Sequence, residues 1–276
     1  MPHEMSLPEL AQALQNAAPV MVLTGAGVST GSGIPDYRDH SGAWKRPAPM
    51  QLSEFVGSEL GRQRYWARSL VGWRTVERAQ PNAAHHALAS LERRGQIQGL
   101  VTQNVDGLHQ QAGSQQVVDL HGRLDRVECL DCGRVMPRQQ HQMALEAANP
   151  HWSTSVHYSG VAPDGDADLH TADYAQFKVP ACSACGGLLK PAVVFFGENV
   201  PVERVNIVRE MLGQSGALLV VGSSLMVWSG YRFVRAAAAA GKPVYILGLG
   251  VTRGDAEALG RVTIDCCNGL SALEQL

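Results

Sequence analysis

The sequence predicts an α/β fold, with a Rossmann-like parallel sheet that has helices on both faces and a small zinc-binding domain. Short apolar runs alternate with stretches of helical periodicity along most of the chain, as in parallel sheets built from crossover units. The apolar runs, such as Val20 to Leu23 and Ala217 to Val221, are continuous, which is the pattern of strands buried on both faces. Two Cys-x-x-Cys pairs interrupt the alternation and predict the additional small domain.

Composition and charge narrow the class of protein. The 276 residues are 45% hydrophobic, which is enough to bury a full core. Because Lys and Arg (23) do not outnumber Asp and Glu (25), charge gives no case for nucleic acid as a partner. No apolar run approaches the ~18 residues of a membrane span, and residues 1–19 resemble neither a secretory signal nor a transit peptide. We therefore expect a cytoplasmic protein with no membrane partner; the sequence carries no signal for its oligomeric state.

The first motif is a glycine turn after the first predicted strand. A helix begins at the capping box Ser6 to Glu9 and ends near Pro19, and the strand Val20 to Leu23 then runs into Gly25-Ala26-Gly27. Glycines at such a turn let the backbone approach a phosphate group. The dinucleotide fingerprint requires a third glycine at position 30, where the chain has Thr30. An NAD-linked oxidoreductase of the Rossmann type is therefore disfavoured, and a plain strand-to-helix turn stays open as an alternative for this motif.

A loop and an aromatic helical segment follow the turn. Gly33 and Pro35 break the crossover helix expected there, so Asp36, Arg38 and Trp44 fall on a loop that suits a lid over a phosphorylated cofactor. Residues 52–77 have helical periodicity and carry several large rings, and packing within a helical module of about residues 39–80 is their favoured role. The rings are those of Phe55, Tyr65, Trp66 and Trp73.

Polar side chains cluster where two further predicted strands end. The strand that contains Leu100 and Val101 gives way to Gln103, Asn104 and Asp106, and the strand Val117-Val118 leads to His121. In open α/β sheets, ligands lie at the carboxyl ends of the strands. The pattern therefore predicts a polar ligand at this edge, although an ordinary half-buried histidine is the simpler alternative for His121 taken alone.

The cysteines indicate a metal site rather than disulfides. Four of the six form two pairs with identical spacing, Cys129 with Cys132 and Cys182 with Cys185. Four thiolates predict one structural, tetrahedral zinc per chain with no open coordination position. Residues 133–181, between the pairs, are irregular and rich in Pro, His, Asp and Ser, so the insert must carry its own loop or helix.

The α/β alternation is predicted to resume at Val193 and to continue to the end of the chain. Two later strands, ending at Val221 and Leu247, lead to the turns Gly222-Ser223-Ser224 and Gly248-Leu249-Gly250, which present backbone donors at the edge of the sheet. The prediction is a single 276-residue unit. Its large domain covers about residues 1–122 and 191–276, its zinc insert covers about 123–190, and the helical module lies within the large domain.

Taken together, the motifs resemble those of the sirtuin family, in the family's order from about Leu7 to the C-terminus. The matching stretches are Gly25 to Ser29, Gly33 to Arg38, Thr102 to His109, Leu120 to Gly122, the two cysteine pairs, Val194 to Glu198 and Gly222 to Leu225. Pro163 to Asp166 and Ser229 to Phe233 resemble the class II branch. That branch includes the mitochondrial sirtuin of animals described as a lipoamidase, deacylase and ADP-ribosyltransferase.

The resemblance implies an NAD-dependent protein-lysine deacylase, either a deacetylase or a longer-chain deacylase, that splits NAD into nicotinamide and O-acyl-ADP-ribose. By similarity, His121 is the general base, since the ordinary pKa of histidine lies near the working pH, and Asn104 is the second catalytic residue, which positions the ribose. Asp106 is implied to hold the nicotinamide carboxamide. The implied contacts with NAD are Gly25, Ala26, Gly27, Asp36, Tyr37, Arg38, Gln103, Asn104, Asp106, His121, Gly222, Ser223, Ser224, Gly248, Leu249, Gly250 and Cys267.

The implied substrate is an acylated lysine in an extended peptide or protein. It would pair as an added strand with a segment made of Val193, Val194, Phe195, Phe196, Gly197 and Glu198. The chain departs from many relatives at Gly248, where they have an asparagine that contacts the adenosine ribose. Two other functions stay open: a mono-ADP-ribosyltransferase, and, from a different class, a non-catalytic zinc-ribbon binding protein, which has no need of the set Asn104, Asp106 and His121.

The size of the acyl group is a further expectation. The helical module and the loop before it are expected to line the substrate tunnel, and an aromatic wall favours acyl groups larger than acetyl because each buried methylene contributes ~0.8 kcal/mol. Arg68 leaves an acidic acyl group open. The residues in question are Trp44, Phe55, Tyr65, Trp66, Arg68 and Trp73.

Overall fold

A seven-stranded sheet in which every neighbouring pair is parallel forms the centre of the protein. The structure is a computed structural model that describes residues 2–170 and 173–276, so Met1 and two residues of the predicted insert, Thr171 and Ala172, lie outside the described residues. In spatial order the strands are β1 (His3–Glu4), β12 (Gly260–Val262), β11 (Val244–Leu247), β10 (Leu218–Val221), β2 (Val20–Thr24), β3 (Ile97–Thr102) and β4 (Val117–Asp119).

Helices cover both faces of this sheet, as the continuous apolar strands predict. Side chains of β2 alternate between two apolar clusters: Val20 and Val22 belong to one, and Met21 and Leu23 to the other. The first face is covered by α1 (Leu7–Asn16), α4 (Ala83–Arg93) and α10 (Cys266–Gln275), and the second by α8 (Val202–Gln214) and α9 (Trp228–Ala239). The predicted α/β fold with a Rossmann-like sheet is confirmed.

Local chemistry explains where the first helices begin. Ser6 and Glu9 form the predicted capping box of α1, in which each side chain bonds the other's backbone N–H. Asn82 caps α4 through hydrogen bonds from the N–H groups of Ala84 and His85. Within the described ranges, no helix is both long enough and apolar enough to cross a membrane.

A second, antiparallel sheet carries the cysteine pairs. Its central strand β5 (Gly122–Cys129) lies between β6 (Val135–Pro137) and β9 (Leu189–Val193). The stretch predicted as irregular is more ordered than expected, since it contains α6 (Arg138–Ala148), α7 (Trp152–Ser155) and the hairpin of β7 (His157–Val161) and β8 (Ala167–His170). Val193 still belongs to the antiparallel sheet, and the next strand of the main sheet is β10, so the predicted return to α/β alternation at Val193 is wrong.

The helical module packs against this second sheet. It consists of α2 (Leu52–Gly57) and the 20-residue α3 (Glu59–Arg78), while α5 (Leu108–Gln111) is a single turn after β3. Phe55 and Trp66 are fully buried in one apolar cluster with Leu145 and Phe177 of the insert. The module and the insert therefore share a core, which confirms the packing role expected for most of the aromatic rings.

Candidate functional site

The candidate site lies where the order of the strands reverses. From β2 the chain moves through β3 and β4 on one side, and later from β10 through β11 and β12 on the other, so β2 and β10 are neighbours at a topological switch point. Thr24 pairs with both Thr102 and Val221, which brings the turns that follow these strands to one level. A cavity of about 840 Å³ opens at this edge, and Gly25, Gln103 and Gly222 line it.

Two glycine turns form the floor of the cavity by packing directly on each other. The N–H of Gly27 donates to the carbonyl of Gly222 at 2.9 Å. A Cβ atom on Gly25 would lie 2.7 Å from Cβ of Ser223, and one on Gly27 would lie 2.8 Å from the Gly222 oxygen. Two short 3-10 helices, Ala26–Val28 and Thr30–Ser32, follow the first turn. The third glycine of the dinucleotide fingerprint allows an α-helix after the turn to pack closely on the strand. Here the turn is followed by the two 3-10 helices instead, so Thr30 can stand at that position.

Ser29, Asn104 and Asp106 form a partly buried hydrogen-bond network beside the glycine turn. Ser29 donates to Asp106 Oδ2 at 2.7 Å and accepts from Asn104 Nδ2 at 3.0 Å, and the same Nδ2 donates to the carbonyl of Gly25 at 3.1 Å. The backbone N–H of Leu108 donates to the other carboxylate oxygen, and burial raises the pKa of Asp106. Both amide protons of Asn104 are used, so its Oδ1 oxygen is the atom left to accept from a ligand.

His121 is held by two hydrogen bonds that define its tautomer. Nδ1 lies 2.9 Å from the carbonyl oxygen of Gln103, and Nε2 lies 2.7 Å from the hydroxyl of Ser229. A carbonyl can only accept, so Nδ1 carries the proton and Nε2 accepts from Ser229. Burial lowers the pKa of His121 to about 4, and the charges of Arg204 and Arg232 also lower it by smaller amounts. The hydrogen bond to the Gln103 carbonyl acts in the opposite direction. The expectation of a pKa near the working pH is therefore wrong, and the imidazole is neutral at pH 7.

The predicted lid is a loop folded by its own side chains at the rim of the cavity. The guanidinium of Arg38 lies 3.8 Å from the ring centre of Trp44 and donates to the Gly42 carbonyl at 2.8 Å. Tyr37 meets Trp44 edge-on at 6.0 Å, and Asp36 forms an ion pair with Lys45. Asp36, Tyr37 and Arg38, three of the predicted NAD contacts, all line the cavity.

The remaining predicted NAD contacts also reach this cavity. Gln103 donates to the hydroxyl of Ser223 at 2.7 Å, which links the ends of β3 and β10. A Cβ atom on Gly248 would meet nothing closer than 3.6 Å, so packing does not require a glycine there and its absent side chain leaves open space. The other predicted residues that line the cavity are Ala26, Asn104, Asp106, His121, Ser224, Leu249, Gly250 and Cys267.

Residues 193–198 form the wall of the cavity next to His121. Val194 donates its N–H to the carbonyl of His121 at 2.8 Å, and the carbonyl of Phe196 accepts from Leu52 at 2.9 Å. The fully buried ammonium of Lys190 donates to the Val193 carbonyl at 2.6 Å. All six predicted substrate-binding residues line the cavity, but part of their backbone is already paired within the chain.

The predicted acyl-binding residues separate into two groups. Only Trp44 and Tyr65 of the six line the cavity; the rings of Phe55, Trp66 and Trp73 belong to the core. Arg68 lies within hydrogen-bond distance of two carboxylates, at 2.6 Å from Asp166 and 3.0 Å from Asp168. It is therefore not free to bind an acidic acyl group.

Two carboxyl groups of the insert line the cavity near Tyr37 and Tyr65. Asp164 and Asp166 belong to the turn between β7 and β8, and both line the cavity. Burial raises the pKa of both groups, and the charge of Asp164 raises that of Asp166 further, while Arg68 acts in the opposite direction on both. This part of the wall therefore favours a neutral ligand or one with hydrogen-bond donors.

The four predicted metal ligands come together at one end of the antiparallel sheet. The sulfur atoms of Cys129, Cys132, Cys182 and Cys185 lie within 4.8 Å of one another, with Cys129 and Cys185 at 3.5 Å and Cys132 and Cys182 at 3.9 Å. Tetrahedral zinc with Zn–S bonds of about 2.3 Å requires sulfur atoms about 3.8 Å apart. The donor set therefore fits a structural zinc, and four thiolates complete its tetrahedral coordination.

Sequence reasoning missed several residues of the site. The sequence places Ser29 in the Gly25 to Ser29 stretch but does not show that its hydroxyl links Asn104 to Asp106 by hydrogen bonds. In the sequence, Ser229 and Arg232 indicate only a resemblance to the class II branch. In the structure, both line the cavity beside His121. The signal available for Ser229 was its place in the stretch that leads from the Gly222 turn into α9.

Comparison with known proteins gives consistent similarities. The family model for the Sir2 family matches residues 25–229. Over 268 residues, which are 97% of this chain and 91% of the relative, the chain is 55% identical to an NAD-dependent protein deacetylase of Xanthomonas campestris pv. campestris (strain 8004). It is 56% identical over 247 residues, 90% of this chain and 89% of the relative, to an NAD-dependent protein deacetylase of Bordetella bronchiseptica.

Solved structures agree with these relatives. The fold is similar to that of a Sir2 protein with a p53 peptide and NAD+, with a TM-score of 0.77, 27% identity and 98% of each chain covered. It is also similar to a Sir2 protein bound to a propionylated peptide, with a TM-score of 0.76, 27% identity and 98% of each chain covered.

Proposed function

The chain belongs to the Sir2 family, and from that premise we propose that it is an NAD-dependent protein-lysine deacylase. It would release nicotinamide from NAD and transfer the acyl group of a lysine to the ADP-ribose. Its curated relatives in Xanthomonas and Bordetella are named NAD-dependent protein deacetylases, which supports deacetylation as the basic activity.

The observation that carries the proposal is one cavity that holds both the glycine turns and the polar set at the ends of β3 and β4. When bound, NAD supplies an electrophilic ribose carbon once its nicotinamide leaves. The close-packed turns at Gly25 and Gly222 would hold the phosphates through backbone N–H groups. Asn104 would direct its free Oδ1 oxygen at the ribose, and Asp106 would accept from the nicotinamide amide.

His121 would act as the general base. A neutral imidazole with Nδ1–H bonded to the Gln103 carbonyl keeps the Nε2 lone pair directed at the cavity. The low pKa means that the group is in its basic form at every pH above about 4. The surrounding cavity would exclude water, which otherwise competes with the acyl oxygen for the ribose carbon.

The acylated lysine would enter beside residues 193–198, with the peptide extended along that segment. Part of the backbone there is bonded to His121 and Leu52, so the peptide would use the remaining groups. A solved Sir2 structure bound to a propionylated peptide supports a peptide as the substrate.

For the acyl group, the proposal is a neutral chain larger than acetyl, in line with the resemblance to the class II branch. Trp44 and Tyr65 offer apolar area in the cavity, and Pro163 to Asp166, one of the class II stretches, lines the same wall. An acidic acyl group would meet Asp164 and Asp166 while Arg68 is already engaged. We therefore expect butyryl-lysine peptides to be accepted and succinyl-lysine peptides to be rejected.

The test is a reaction of the protein with NAD and an acetyl-lysine peptide, followed by mass spectrometry of every product. Equal amounts of nicotinamide, deacylated peptide and O-acetyl-ADP-ribose are expected. Nicotinamide release with ADP-ribose attached to protein, and no loss of the acetyl group, would instead identify a mono-ADP-ribosyltransferase. Binding without any nicotinamide release would contradict an enzyme of either kind.

A further inference from the structure

Ser229 occupies the only lone pair that His121 has for taking a proton. An imidazole with Nδ1–H has one in-plane acceptor, Nε2, and the Ser229 oxygen lies 2.7 Å from it. Because Nδ1 bonds a carbonyl oxygen, which cannot donate, the tautomer is fixed and the Ser229 hydroxyl must be the donor. Another hydroxyl can reach Nε2 only by displacing Ser229 or by acting through it.

The surroundings of Ser229 favour the second possibility. Its side chain lines the cavity, and its hydroxyl oxygen has no hydrogen-bond partner other than His121 within residues 2–170 and 173–276. Since a hydroxyl offers one proton and two lone pairs, Ser229 can donate to Nε2 and still accept a proton from a group in the cavity. It can also accept from Nε2 after the imidazole has become charged, so the contact persists in both protonation states.

We propose that Ser229 is a proton relay between His121 and the ligand hydroxyl that is deprotonated in the reaction. The proposal rests on the proposed function, in which that hydroxyl belongs to the ribose of NAD. The ligand O–H bond breaks and its proton binds the Ser229 oxygen, while the original Ser229 proton moves to Nε2. Serine leaves the step as a neutral hydroxyl, His121 as an imidazolium and the ligand as an alkoxide, so protons and charge balance.

The charged groups around His121 oppose the imidazolium that the relay forms, so its hydrogen-bond partners must stabilise it. Arg204 of α8 and Arg232 of α9 are the cations that act on the imidazole, and both disfavour its charged form. Among the described residues, the contacts that stabilise an imidazolium here are the Gln103 carbonyl and the Ser229 oxygen. A hydroxyl that accepts from Nε2–H therefore assists the proton transfer as well as conducting it.

The first test uses the NAD-free protein. Diethyl pyrocarbonate reacts with the free lone pair of a neutral imidazole, and the extent of modification at His121 is read by peptide mass spectrometry at pH 7. We expect slow modification of the wild type, several-fold faster modification of Ser229→Ala and slow modification of Ser229→Thr, which keeps the hydroxyl. Equal rates for wild type and Ser229→Ala would overturn the proposal, because Nε2 would then not be engaged by the hydroxyl.

The second test compares turnover with NAD and an acetyl-lysine peptide. Ser229→Ala should lower kcat by about 10- to 100-fold with little change in KM, which is less than the ~10²–10⁴ expected from loss of a general base. Ser229→Thr should restore most of the rate. In mixtures of H2O and D2O, the wild-type rate should fall along a curved line, since two protons move together, and the Ser229→Ala rate along a straight one.

Ser53→Ala is the matched control, since Ser53 is also the second residue of a helix and is exposed. It should match the wild type in both tests. Normal or faster turnover by Ser229→Ala would show that the hydroxyl merely fills the NAD-free site, and equal losses in the Ala and Thr variants would show that shape rather than the hydroxyl matters. Either result overturns the relay. A wild type that releases no nicotinamide would instead contradict the proposed function, while the modification rates still report on the Ser229 contact.

Discussion

Lys190→Met should loosen the wall of the cavity that is proposed to bind the peptide. Lys190 is 1% exposed, and its ammonium meets three acceptors: the Val193 carbonyl at 2.6 Å, Glu128 at 3.1 Å and Glu198 at 3.3 Å. Glu198 in turn accepts from the N–H of Phe195 at 2.8 Å. One buried cation thus fixes both ends of the segment from residue 193 to 198.

The size of the effect follows from what the substitution leaves behind. Met has nearly the length of Lys, so little cavity forms, but a buried carbonyl and two carboxylates lose their donor. Removing one partner of a buried ion pair typically costs about 3–5 kcal/mol. The side chains of Glu128 and Glu198 are 37% and 25% exposed and can turn towards water, so we expect a smaller loss. A loss of about 2–3 kcal/mol corresponds to a Tm lower by about 3–5 °C for a chain of 276 residues.

Two measurements check this prediction. Thermal unfolding gives the Tm, and steady-state kinetics with an acetyl-lysine peptide should give a KM for the peptide that rises several-fold while the KM for NAD changes little. Lys178→Met is the control, because Lys178 is exposed in the same part of the chain and its ammonium has no partner among the described residues. If Lys190→Met retained both the Tm and the peptide KM of the wild type, the reasoning about this wall would be refuted.

Further variants test the rest of the site and the stability of the fold. His121→Ala should lower deacylation by ~10²–10⁴-fold with a near-normal Tm; near-normal turnover would remove it from the mechanism. Cys182→Ser should lose zinc, measured by metal analysis, and show a reduced Tm before activity is affected, whereas reduced activity at an unchanged Tm would contradict a structural role. Asp164→Asn should raise kcat/KM for succinyl-lysine several-fold relative to acetyl-lysine, and an unchanged ratio would exclude this carboxyl from selection. Burial lowers the pKa of His85 to about 4 and that of His141 to about 3. Below pH 6.5 these two histidines bind protons in the unfolded chain but not in the folded one, so they lower the free energy of unfolding between pH 6.5 and 4. Measured in urea, that free energy should therefore decrease less over this range in His141→Phe than in the wild type.

The main sheet and the location of the site were predictable because their signals are local. Each buried strand is a short continuous apolar run, and β2 and β10 are buried at every position. The carboxyl ends of parallel strands share an edge, so polar residues such as Gln103 and His121, which follow different strands, could be expected in one place before any contact was known. The spacing of the cysteines is also a local signal, and it predicted the four-cysteine cluster.

What sequence could not provide depends on contacts between distant parts of the chain. Arg68 donates to Asp166 and Asp168, which lie about a hundred positions away in the sequence. The expectation that its charge is available to a ligand is therefore wrong, and no local sequence pattern reveals this pairing. The low pKa of His121 arises from burial by tertiary packing, which a strand-end position does not reveal.

Helix α6 was missed because its buried face is polar. The buried residues Arg138, His141, Gln142 and Leu145 have helical spacing, but only the last is apolar, so hydrophobic periodicity gives no signal. Their environment compensates: the Arg138 guanidinium lies 5.2 Å from the ring centre of Trp66, and Gln142 donates to the Leu70 carbonyl at 3.0 Å. A polar helix face is stable here because aromatic rings and carbonyl oxygens of α3 contact it.

The antiparallel sheet connects the four-cysteine cluster to the candidate active site. His121 is followed at once by β5, whose far end carries Cys129, and the peptide-facing segment follows at once from β9. These two strands pair antiparallel, with Gly122 opposite Val193, and Val194 bonds the carbonyl of His121. A side chain at Gly122, where φ is +80°, would collide with the Ala192 carbonyl and push the two strands apart. The proposed base and the proposed peptide wall are thus two ends of one small sheet, and the thiolate cluster clamps its opposite end. A zinc held by the thiolates would stabilise the stretch in which Val127 to Cys129 pair with Pro191 to Leu189, and a register shift between Gly122 and Val127 separates this stretch from the Gly122–Val193 pair beside His121.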